Sequence, residues 1–212
     1  MTETPAAPSR PSRSEQRKAR TRGALVSAAL HLLAEGRSNV SIQEITEVAD
    51  VGFGSFYNHF QSKDELFAAA VTQTLEAHDA VLESVTAGVT DPARLFAIGL
   101  RTTGRLQRTA PEMVRVILGQ GTSVLLHNRG IAPRARSDIS AGIEDGRFAA
   151  ADPELAFMTV GGALLGLMQM LDARPAVDAG DASDALAESL LRMLGVPAEE
   201  AAAIAREALP EV

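Results

Sequence analysis

Apolar residues repeat with the 3.6-residue period of an α-helix along this chain, and no segment shows the sustained alternation of a β-strand between hairpin turns. The first clear stripe consists of Leu25, Ala28, Ala29, Leu32 and Leu33. This spacing places the five side chains on one helix face, and Gly36 supplies the left-handed residue that commonly ends a helix. The sequence therefore predicts an all-α fold whose first helix runs from about residue 17 to residue 35.

Two short helices separated by a tight turn are predicted next. Ser41 and Glu44 have the spacing of a capping box, in which the glutamate also reaches back to the serine amide. Asp50 tolerates a left-handed conformation, and Gly52 can cap a third helix that ends near His59. A short helix, a turn and a second short helix place a recognition helix in the major groove of DNA. The predicted helix-turn-helix occupies about residues 41–60.

The predicted motif contains enough apolar side chains for a small core of its own. We expect the following residues to face inward or close the turn: Ile42, Ile45, Val48, Ala49, Val51, Phe56 and Phe60. The remaining side chains of the second short helix are then left to meet DNA: Phe53, Ser55, Tyr57, Asn58 and His59.

Helix-start signals further along the chain predict nine or ten helices in all. Ser62 and Glu65 repeat the capping-box spacing and open a fourth helix, long enough to leave the N-terminal unit and reach the rest of the chain. Five further helix starts are marked by prolines at positions 92, 111, 133, 153 and 197.

Three regions are expected from this organisation. Residues 1–16 contain three prolines and no apolar stretch that could form the core of a signal peptide, so a disordered tail is predicted. Residues 17–63 form the helix-turn-helix domain, and residues 64–212 form a larger helical domain. The apolar run from Leu155 to Leu171 is interrupted by Thr159 and Gln169 and is shorter than the ~20 residues of a membrane span, which favours a buried helix.

Charge is distributed unevenly along the chain. Residues 1–63 hold eight lysines and arginines against six acidic residues, a net charge of +2. Because the whole chain has a net charge of −7, the remaining residues carry −9. A basic end on an acidic body indicates that one end meets a polyanion, although a solvated basic tail explains the charge alone equally well. There are no cysteines, so neither disulfides nor thiolate metal sites are available, and a reducing cytoplasm is expected.

The segment from Val40 to Leu66 resembles the signature of the TetR family of transcriptional regulators. The best-matched elements are Phe56-Tyr57 with His59-Phe60, followed by Ser62-Lys63-Asp64. The resemblance is specific over about fifty residues, whereas the C-terminal two-thirds is similar only in its helical layout. It implies a homodimeric repressor that binds a palindromic DNA operator and releases it when a small molecule binds.

The resemblance also implies roles for individual residues. Tyr57 and Lys63 are expected to contact backbone phosphates, and a lysine at a helix N-terminus forms an anion site on physical grounds as well. The full set of expected DNA contacts is Arg20, Arg22, Ser41, Gln43, Gly52, Phe53, Gly54, Ser55, Tyr57, Asn58, His59 and Lys63. Packing within the motif is the alternative to phosphate contact for Tyr57 and to base reading for His59, and Lys63 is alternatively a solvated charge.

Three positions depart from the family pattern. Thr46 stands where alanine is common, Asp50 where glycine is common, and Gly52 where serine usually caps the recognition helix. Glycine is an acceptable N-cap, so Gly52 removes a phosphate-binding hydroxyl without breaking the geometry.

The larger domain is predicted to hold both the ligand pocket and the dimer interface. Methionine adapts to irregular cavities, although each methionine is alternatively ordinary core filler. The candidate pocket residues are Met113, Ile117, Gln120, Leu125, His127, Phe157, Met158 and Gln169. Small residues on one apolar helix allow close approach of another helix, and a second apolar stripe follows. The resemblance implies that these two helices of each subunit form a four-helix dimer interface, with intramolecular packing as the alternative. The candidate interface residues are Gly162, Gly166, Leu186, Leu190 and Met193.

No arrangement of residues typical of an enzyme is found. His31, His59, His78 and His127 lack metal-ligand spacing, there is no thiol nucleophile, and no glycine-framed serine elbow occurs. Glycine pairs occur without the third glycine of a dinucleotide fingerprint. The sequence therefore predicts a regulator with no catalytic residue, metal or cofactor; a helical ligand-binding or adaptor protein without operator recognition is the alternative.

Overall fold

The computed structural model describes residues 12–210, and this part of the chain contains ten α-helices and one 3₁₀ helix. The α-helices are α1 Arg13–Ala34, α2 Ile42–Val48, α3 Phe53–Phe56, α4 Lys63–Val85, α5 Pro92–Thr109, α6 Pro111–Gly119, α7 Ile131–Glu144, α8 Pro153–Ala173, α9 Ala179–Met193 and α10 Ala198–Ala205; the 3₁₀ helix is Gly121–Leu126. The predicted all-α class is confirmed; the ten α-helices agree with the nine or ten expected, and the 3₁₀ helix is an additional element.

The first helix begins four residues earlier than the sequence pattern predicts. Ser12 caps α1, since its hydroxyl accepts a hydrogen bond from the Glu15 amide at 3.2 Å while the Glu15 carboxylate accepts one from the Ser12 amide at 2.6 Å. This reciprocal capping box makes residues 13–16 helical, although they were expected to belong to the tail. The rest of that expected tail, residues 1–11, lies outside the described residues.

A small apolar core holds the first four helices together. Its buried members are Leu25, Val26, Ala29, Leu32, Val40, Ile45, Phe56, Phe60, Leu66, Phe67 and Ala70. The last three residues belong to the first two turns of α4, so this core extends past the expected boundary at residue 63. The next turns of α4 contribute Val71 and Leu75 to the larger core of the C-terminal domain. One helix is thus built into both cores.

The larger core lies among α5 to α10. There α5 packs against α7, α8 and α9, while α10 covers α5 and α9. Helix α1 packs against α6 as well as α4, so the N-terminal unit is braced on the larger domain by two helices. Prolines lie at the first position of α5, α6 and α8, as predicted, whereas α9 begins without one because Asp178 caps it by accepting from the Asp181 amide at 2.8 Å.

A buried ion pair ties α5 to α9 and to the segment after α10. The Arg101 side chain is almost fully buried; its Nε donates to Asp184 at 2.7 Å and its Nη1 donates to the backbone carbonyl of Glu207 at 2.8 Å. Arg105 donates to the same Asp184 oxygen at 2.6 Å. Because the buried guanidinium is both paired and hydrogen-bonded, its removal from water is compensated.

Helix α8 is apolar and long enough to meet the length and composition criteria for a membrane span. Core helices of soluble proteins meet the same criteria. In this structure α8 packs against α5, α6, α7 and α9, and the part of its surface left uncovered is a stripe described below. These contacts place one side of α8 in the core of the larger domain.

Candidate functional site

The helix-turn-helix is formed by α2 and α3. Asp50, in the turn between them, has a φ of 52°, in agreement with the left-handed conformation expected there. The third helix is shorter than predicted, because the regular part ends at Phe56 and Tyr57 is its C-cap. The chain continues as a turn, in which the amides of His59 and Phe60 donate to the Phe56 carbonyl at 2.9 and 3.0 Å.

One inward position in α2 was assigned wrongly. Val48 is 44% exposed, while Thr46 on the same helix is buried. The threonine hydroxyl donates to the Gln43 carbonyl at 2.9 Å, so its polar atom is satisfied inside the core. Ile45, Phe56 and Phe60 are buried as expected.

Two aromatic side chains project from α3 into solvent. Phe53 is 53% exposed and Tyr57 is 56% exposed, and their rings meet edge to face with centroids 6.0 Å apart. Gly52, Gly54 and Asn58 are exposed beside them, whereas Ser55 and His59 are half-buried. We call the surface formed by residues 52–55 and 57–59 the recognition surface. Adjacent exposed aromatic side chains of this size are typical of a binding surface.

Neither of the two capping boxes predicted from the sequence, at the starts of α2 and α4, is reciprocal. Ser41 caps α2 by accepting from the Glu44 amide at 3.2 Å, but the Glu44 carboxylate pairs with Arg37 instead of the Ser41 amide. Gln43, one turn into α2, is exposed and donates to Glu47 at 3.0 Å.

The second predicted capping box, at the start of α4, has a different partner for its glutamate. Ser62 accepts from the Glu65 amide at 3.1 Å, while the Glu65 carboxylate accepts from the Gln61 amide at 2.6 Å. The glutamate thus satisfies a donor one residue earlier than in the standard motif.

Lys63 lies at the first position of α4. Its ammonium group donates to Asn39 Oδ1 at 3.4 Å and to the Val40 carbonyl at 3.3 Å, which holds the start of α4 against the segment before α2. An ammonium group has three N–H donors, so one is left for a further acceptor such as a phosphate.

Helix α1 contributes basic side chains next to the recognition surface. The Arg22 guanidinium stacks over the Phe60 ring at 5.3 Å from its centroid. Partial burial, together with the positive charges of Lys18 and Arg22, lowers the pKa of His59. Arg20 is exposed and, two residues from Arg22, lies on another face of α1.

A cavity with two adjacent lobes lies inside the C-terminal domain. The lobes share Thr103, Ile131, Ala135, Val160 and Leu164. Their empty volumes, mouths included, are about 570 and 580 Å³. We call the first the charged lobe, because Arg134 and Asp138 line it; its other walls are Leu82, Thr86, Leu95, Phe96, Gly99, Leu100 and Ile139. The apolar lobe is lined by Leu75, His78, Ile117, Val124, Leu125, Ala132, Phe157, Gly161, Leu165 and Met168.

Arg134 in the wall of the charged lobe forms an ion pair, and a separate carboxylate, that of Asp138, lines the same lobe. Arg134 on α7 pairs with Asp79 on α4. Asp138, one turn further along α7, accepts no hydrogen bond from any residue between 12 and 210. Burial raises its pKa, and the nearby charge of Arg134 only partly opposes this effect. A half-buried carboxyl group without a hydrogen-bond donor is suited to accept a hydrogen bond from a ligand hydroxyl.

A hydrogen-bond chain lies at the junction of the lobes. The Thr103 hydroxyl donates to the Gly99 carbonyl at 2.7 Å, so it accepts the hydrogen bond that joins it to His78 Nε2 at 2.8 Å. His78 therefore carries its proton on Nε2. Burial lowers the pKa of His78 to about 4, which keeps the ring neutral at pH 7.

Three of the eight candidate pocket residues line this cavity, namely Ile117, Leu125 and Phe157. Gln169 is exposed on α8, and Met113, Gln120, His127 and Met158 are half-buried outside the lining. The pattern of apolar residues missed Arg134, Asp138, His78 and Thr103, which supply the polar groups. A sequence signal existed at α7, where a basic and an acidic residue four positions apart interrupt an otherwise apolar face, but solvated helix pairs share this spacing.

The uncovered face of α8 has a stripe of small residues. A Cβ atom built at Gly162 or Gly166 would have no neighbour within 4 Å, whereas one at Gly161 would lie 2.5 Å from the Leu125 side chain. Met193 on α9 is 44% exposed and Leu186 is half-buried, but Leu190 is buried in the chain's own core. Four of the five candidate interface residues thus remain accessible.

Within residues 12–210 no group of three or more His, Asp and Glu side chains could hold a metal ion.

Comparison with known proteins covers both domains. The family model described as "Bacterial regulatory proteins, tetR family" matches residues 25–70, and the family model "Tetracyclin repressor-like, C-terminal domain" matches residues 91–207, more than half of the chain. The regulator TcmR of Streptomyces glaucescens is 34% identical over 91 residues, or 41% of this chain. That match spans 40% of TcmR.

Among solved structures, the chain is similar to RolR in complex with its ligand resorcinol, at 36% identity and a TM-score of 0.70, covering 92% of this chain and 98% of RolR. RolR without ligand gives 35% identity and a TM-score of 0.68, covering 89% of this chain and 98% of RolR. The helix-turn-helix, the C-terminal ligand-binding domain and these matches agree: the chain belongs to the TetR family of transcriptional regulators.

Proposed function

We propose that this regulator is a homodimeric repressor that binds a palindromic operator and leaves it when a small, largely apolar molecule with phenol-like hydroxyl groups enters the two-lobed cavity. The observation that carries the proposal is the pairing of Arg134, in the cavity wall, with Asp79 on α4. Because α4 is also part of the N-terminal core, a change at this pair reaches the helix-turn-helix through one rigid element.

The recognition surface is proposed to enter the major groove. Tyr57 and Phe53 are exposed there without a partner element, which is costly in water and is relieved by contact with DNA. Ser41, Gln43, Lys63 and Arg22 flank this surface and are proposed to contact phosphates or base edges. Arg20 is not proposed to contact DNA, since it faces the other side of α1.

The chemistry of the cavity favours a neutral hydroxylated ligand. Its walls are mostly aliphatic and aromatic, and its charged groups are Arg134, already paired, and Asp138. A ligand hydroxyl can donate to Asp138, whereas a ligand carboxylate would be repelled by it. The ligand in the similar RolR complex is resorcinol, a small dihydroxybenzene. We propose the same chemical class for this chain.

The coupling between the two sites is proposed to follow from competition for Arg134. A ligand that bonds to Asp138 and Arg134 weakens the pair with Asp79 and favours a different position of α4. By linkage, operator binding weakens ligand binding by the same factor. A coupling of about 1–3 kcal/mol corresponds to roughly 5- to 150-fold induction.

Dimerisation is proposed to use the uncovered faces of α8 and α9. Gly162 and Gly166 allow close approach of a second helix, and Leu186 and Met193 add apolar surface. A two-fold dimer reading a palindrome binds two half-sites at once, in the cytoplasm where chromosomal DNA is accessible.

The experiment is an electrophoretic mobility shift with DNA from the protein's own promoter region across a salt series, beside random DNA of equal length. The test variant combines Tyr57→Ala and Lys63→Ala, and Arg115→Ala, a surface change on α6, is the control. Preferential binding that the double variant loses and the control keeps supports the proposal. Resorcinol and benzoate are then titrated, and release by resorcinol alone is expected. Equal binding of promoter and random DNA would leave ligand binding without operator recognition as the remaining function.

A further inference from the structure

The helix-turn-helix carries no positively charged side chain of its own. Residues 42–59, which span α2, the turn and α3, contain two glutamates and one aspartate but no lysine or arginine. Arginine and lysine are the side chains that commonly bond to both acceptor atoms of guanine in the major groove. Arg22 and Lys63 lie on α1 and α4, beside the recognition surface rather than on it. Guanine is therefore not read by a charged side chain of α2 or α3.

Phe53 is the apolar side chain at the start of the recognition helix. It occupies the first position of α3 and is 53% exposed. Its neighbours in the chain are Gly52 and Gly54, so no adjacent side chain covers the ring. A Cβ atom at Gly54 would meet nothing within 4 Å, which leaves the space beside the ring open. The ring is thus uncovered at the N-terminal end of α3, the end of a recognition helix that contacts base edges.

The Phe53 ring is also held in position. It meets the Tyr57 ring edge to face, with the centroids 6.0 Å apart, and Tyr57 meets the fully buried Phe56 in the same way at 5.4 Å. These aromatic contacts connect the exposed ring to the core of the N-terminal domain. A side chain that is positioned before binding loses less conformational entropy when it binds. Phe53 is therefore prepared for a contact in a fixed direction.

An apolar ring in the major groove has one favourable partner among the base edges. The C5 methyl group of thymine is the apolar feature there, whereas the other edges present hydrogen-bond donors and acceptors. A phenyl ring placed on those polar edges removes them from water without offering a hydrogen bond, which costs free energy. We propose that Phe53 reads a thymine methyl group in each half-site, so that an A·T pair lies under the start of each α3. The inference rests on the proposed operator binding and adds the base that is recognised.

The test removes the methyl group from the DNA and the ring from the protein. The promoter fragment is amplified with either deoxythymidine or deoxyuridine triphosphate, because uracil differs from thymine only by lacking the C5 methyl group. Affinity for both duplexes is measured by fluorescence anisotropy for wild type, Phe53→Ala and Phe53→Leu. Leu126→Ala, which removes an apolar side chain that is 69% exposed in the larger domain, is the control. Circular dichroism checks that each variant keeps its helix content.

We expect wild type to bind the uracil duplex about fifteenfold more weakly, since each of two half-sites loses a methyl contact that contributes about fourfold. For Phe53→Ala the two duplexes should differ by no more than about twofold, because the partner of the methyl group is already absent. Phe53→Leu and Leu126→Ala should retain most of the wild-type difference. Single thymine-to-uracil replacements should then locate the effect at two thymines related by the two-fold axis of the operator.

Two results would overturn the inference. One is equal affinity of wild type for the two duplexes; the other is an equal loss on the uracil duplex for wild type and Phe53→Ala, because the methyl groups would then be read elsewhere. If the promoter fragment is still preferred over random DNA of equal length in these cases, operator recognition itself stands. A wild-type protein without that preference would refute operator recognition, and the reading of thymine with it.

Discussion

Arg134 on α7 forms an ion pair with Asp79 on α4, and it is a wall residue of the cavity at the same time. Glu83, one turn further along α4, lies 3.9 Å from the same guanidinium but is mostly exposed. The pair therefore joins the proposed effector site to the helix that leaves the DNA-binding domain.

Removing the carboxylate from this pair should uncouple the two sites. In Asp79→Asn, Arg134 keeps only the mostly exposed Glu83, 3.9 Å away, as a charged partner on α4, so we expect the release of promoter DNA by saturating resorcinol to fall severalfold. The free energy of unfolding should decrease by about 0.5–1 kcal/mol, the range for a partly exposed pair. Anisotropy titrations with and without resorcinol, and urea unfolding, measure the two effects. Glu83→Gln is the control and should change neither; full induction in Asp79→Asn would exclude this link.

Stability should fall in mild acid because of His78. Its pKa in the folded protein is about 4, below the ordinary value of 6.5, so the unfolded chain binds a proton that the folded chain does not bind. Stability from this group is complete above pH 6.5 and decreases as pH falls towards 4, by at most about 1.4 kcal/mol per pH unit. Urea unfolding at pH 7 and pH 5 should show a smaller loss in His78→Gln than in wild type. His31→Gln, at an exposed position, should behave like wild type; identical pH dependence in all three would argue against a buried neutral His78.

Charge on the small-residue stripe of α8 should prevent dimerisation. Gly162→Glu places a carboxylate on the uncovered face at a position where a Cβ atom meets nothing within 4 Å, so we expect the fold to be retained and the partner helix to be repelled. We expect a monomer in analytical ultracentrifugation, with helix content unchanged by circular dichroism. Ala203→Glu, at an exposed site on α10, should leave the dimer intact. A dimer that survives Gly162→Glu would place the interface elsewhere.

A serine at the recognition-helix cap should strengthen DNA binding. Gly52 has φ −65° and ψ 140°, which any residue adopts, and a Cβ there would lie 3.7 Å from Ser55 Oγ, an ordinary contact. Gly52→Ser adds a hydroxyl that caps α3 or binds phosphate, so we expect affinity to rise a fewfold and stability by about 0.3 kcal/mol. Gly52→Ala lacks the hydroxyl and should lose stability instead. A weaker complex with Gly52→Ser would show that the backbone at this position must approach DNA more closely than serine allows.

Local patterns predicted the helices well because caps and periodicity are local properties. Ser41, Asp50 and Ser62 lie where the sequence placed them, and the turn has the expected left-handed residue. The partners of Glu44 and Glu65 could not be predicted in this way, since Arg37 and the Gln61 amide compete for their carboxylates in three dimensions.

The cavity was predicted less well for a related reason. Periodicity tells which face of a helix is apolar, but it does not tell which faces enclose a common space. Ile117, Leu125 and Phe157 were named from their apolar stripes, whereas Arg134 and Asp138 look like a solvated pair on a surface helix. Only the packing of α7 on α4 and α5 turns that pair towards the interior.

The division of the cavity into two lobes has a consequence for how such a regulator acquires new inducers. The ion pair that links the site to α4 lies in the charged lobe, while Phe157, Leu165 and Met168 line the apolar lobe from α8. Substitutions among these three residues reshape the space available to a ligand's substituents without altering the ion pair that is proposed to transmit the signal. Inducer preference is thereby free to diverge between paralogues, and to be redirected in an engineered biosensor, while the switching machinery stays the same.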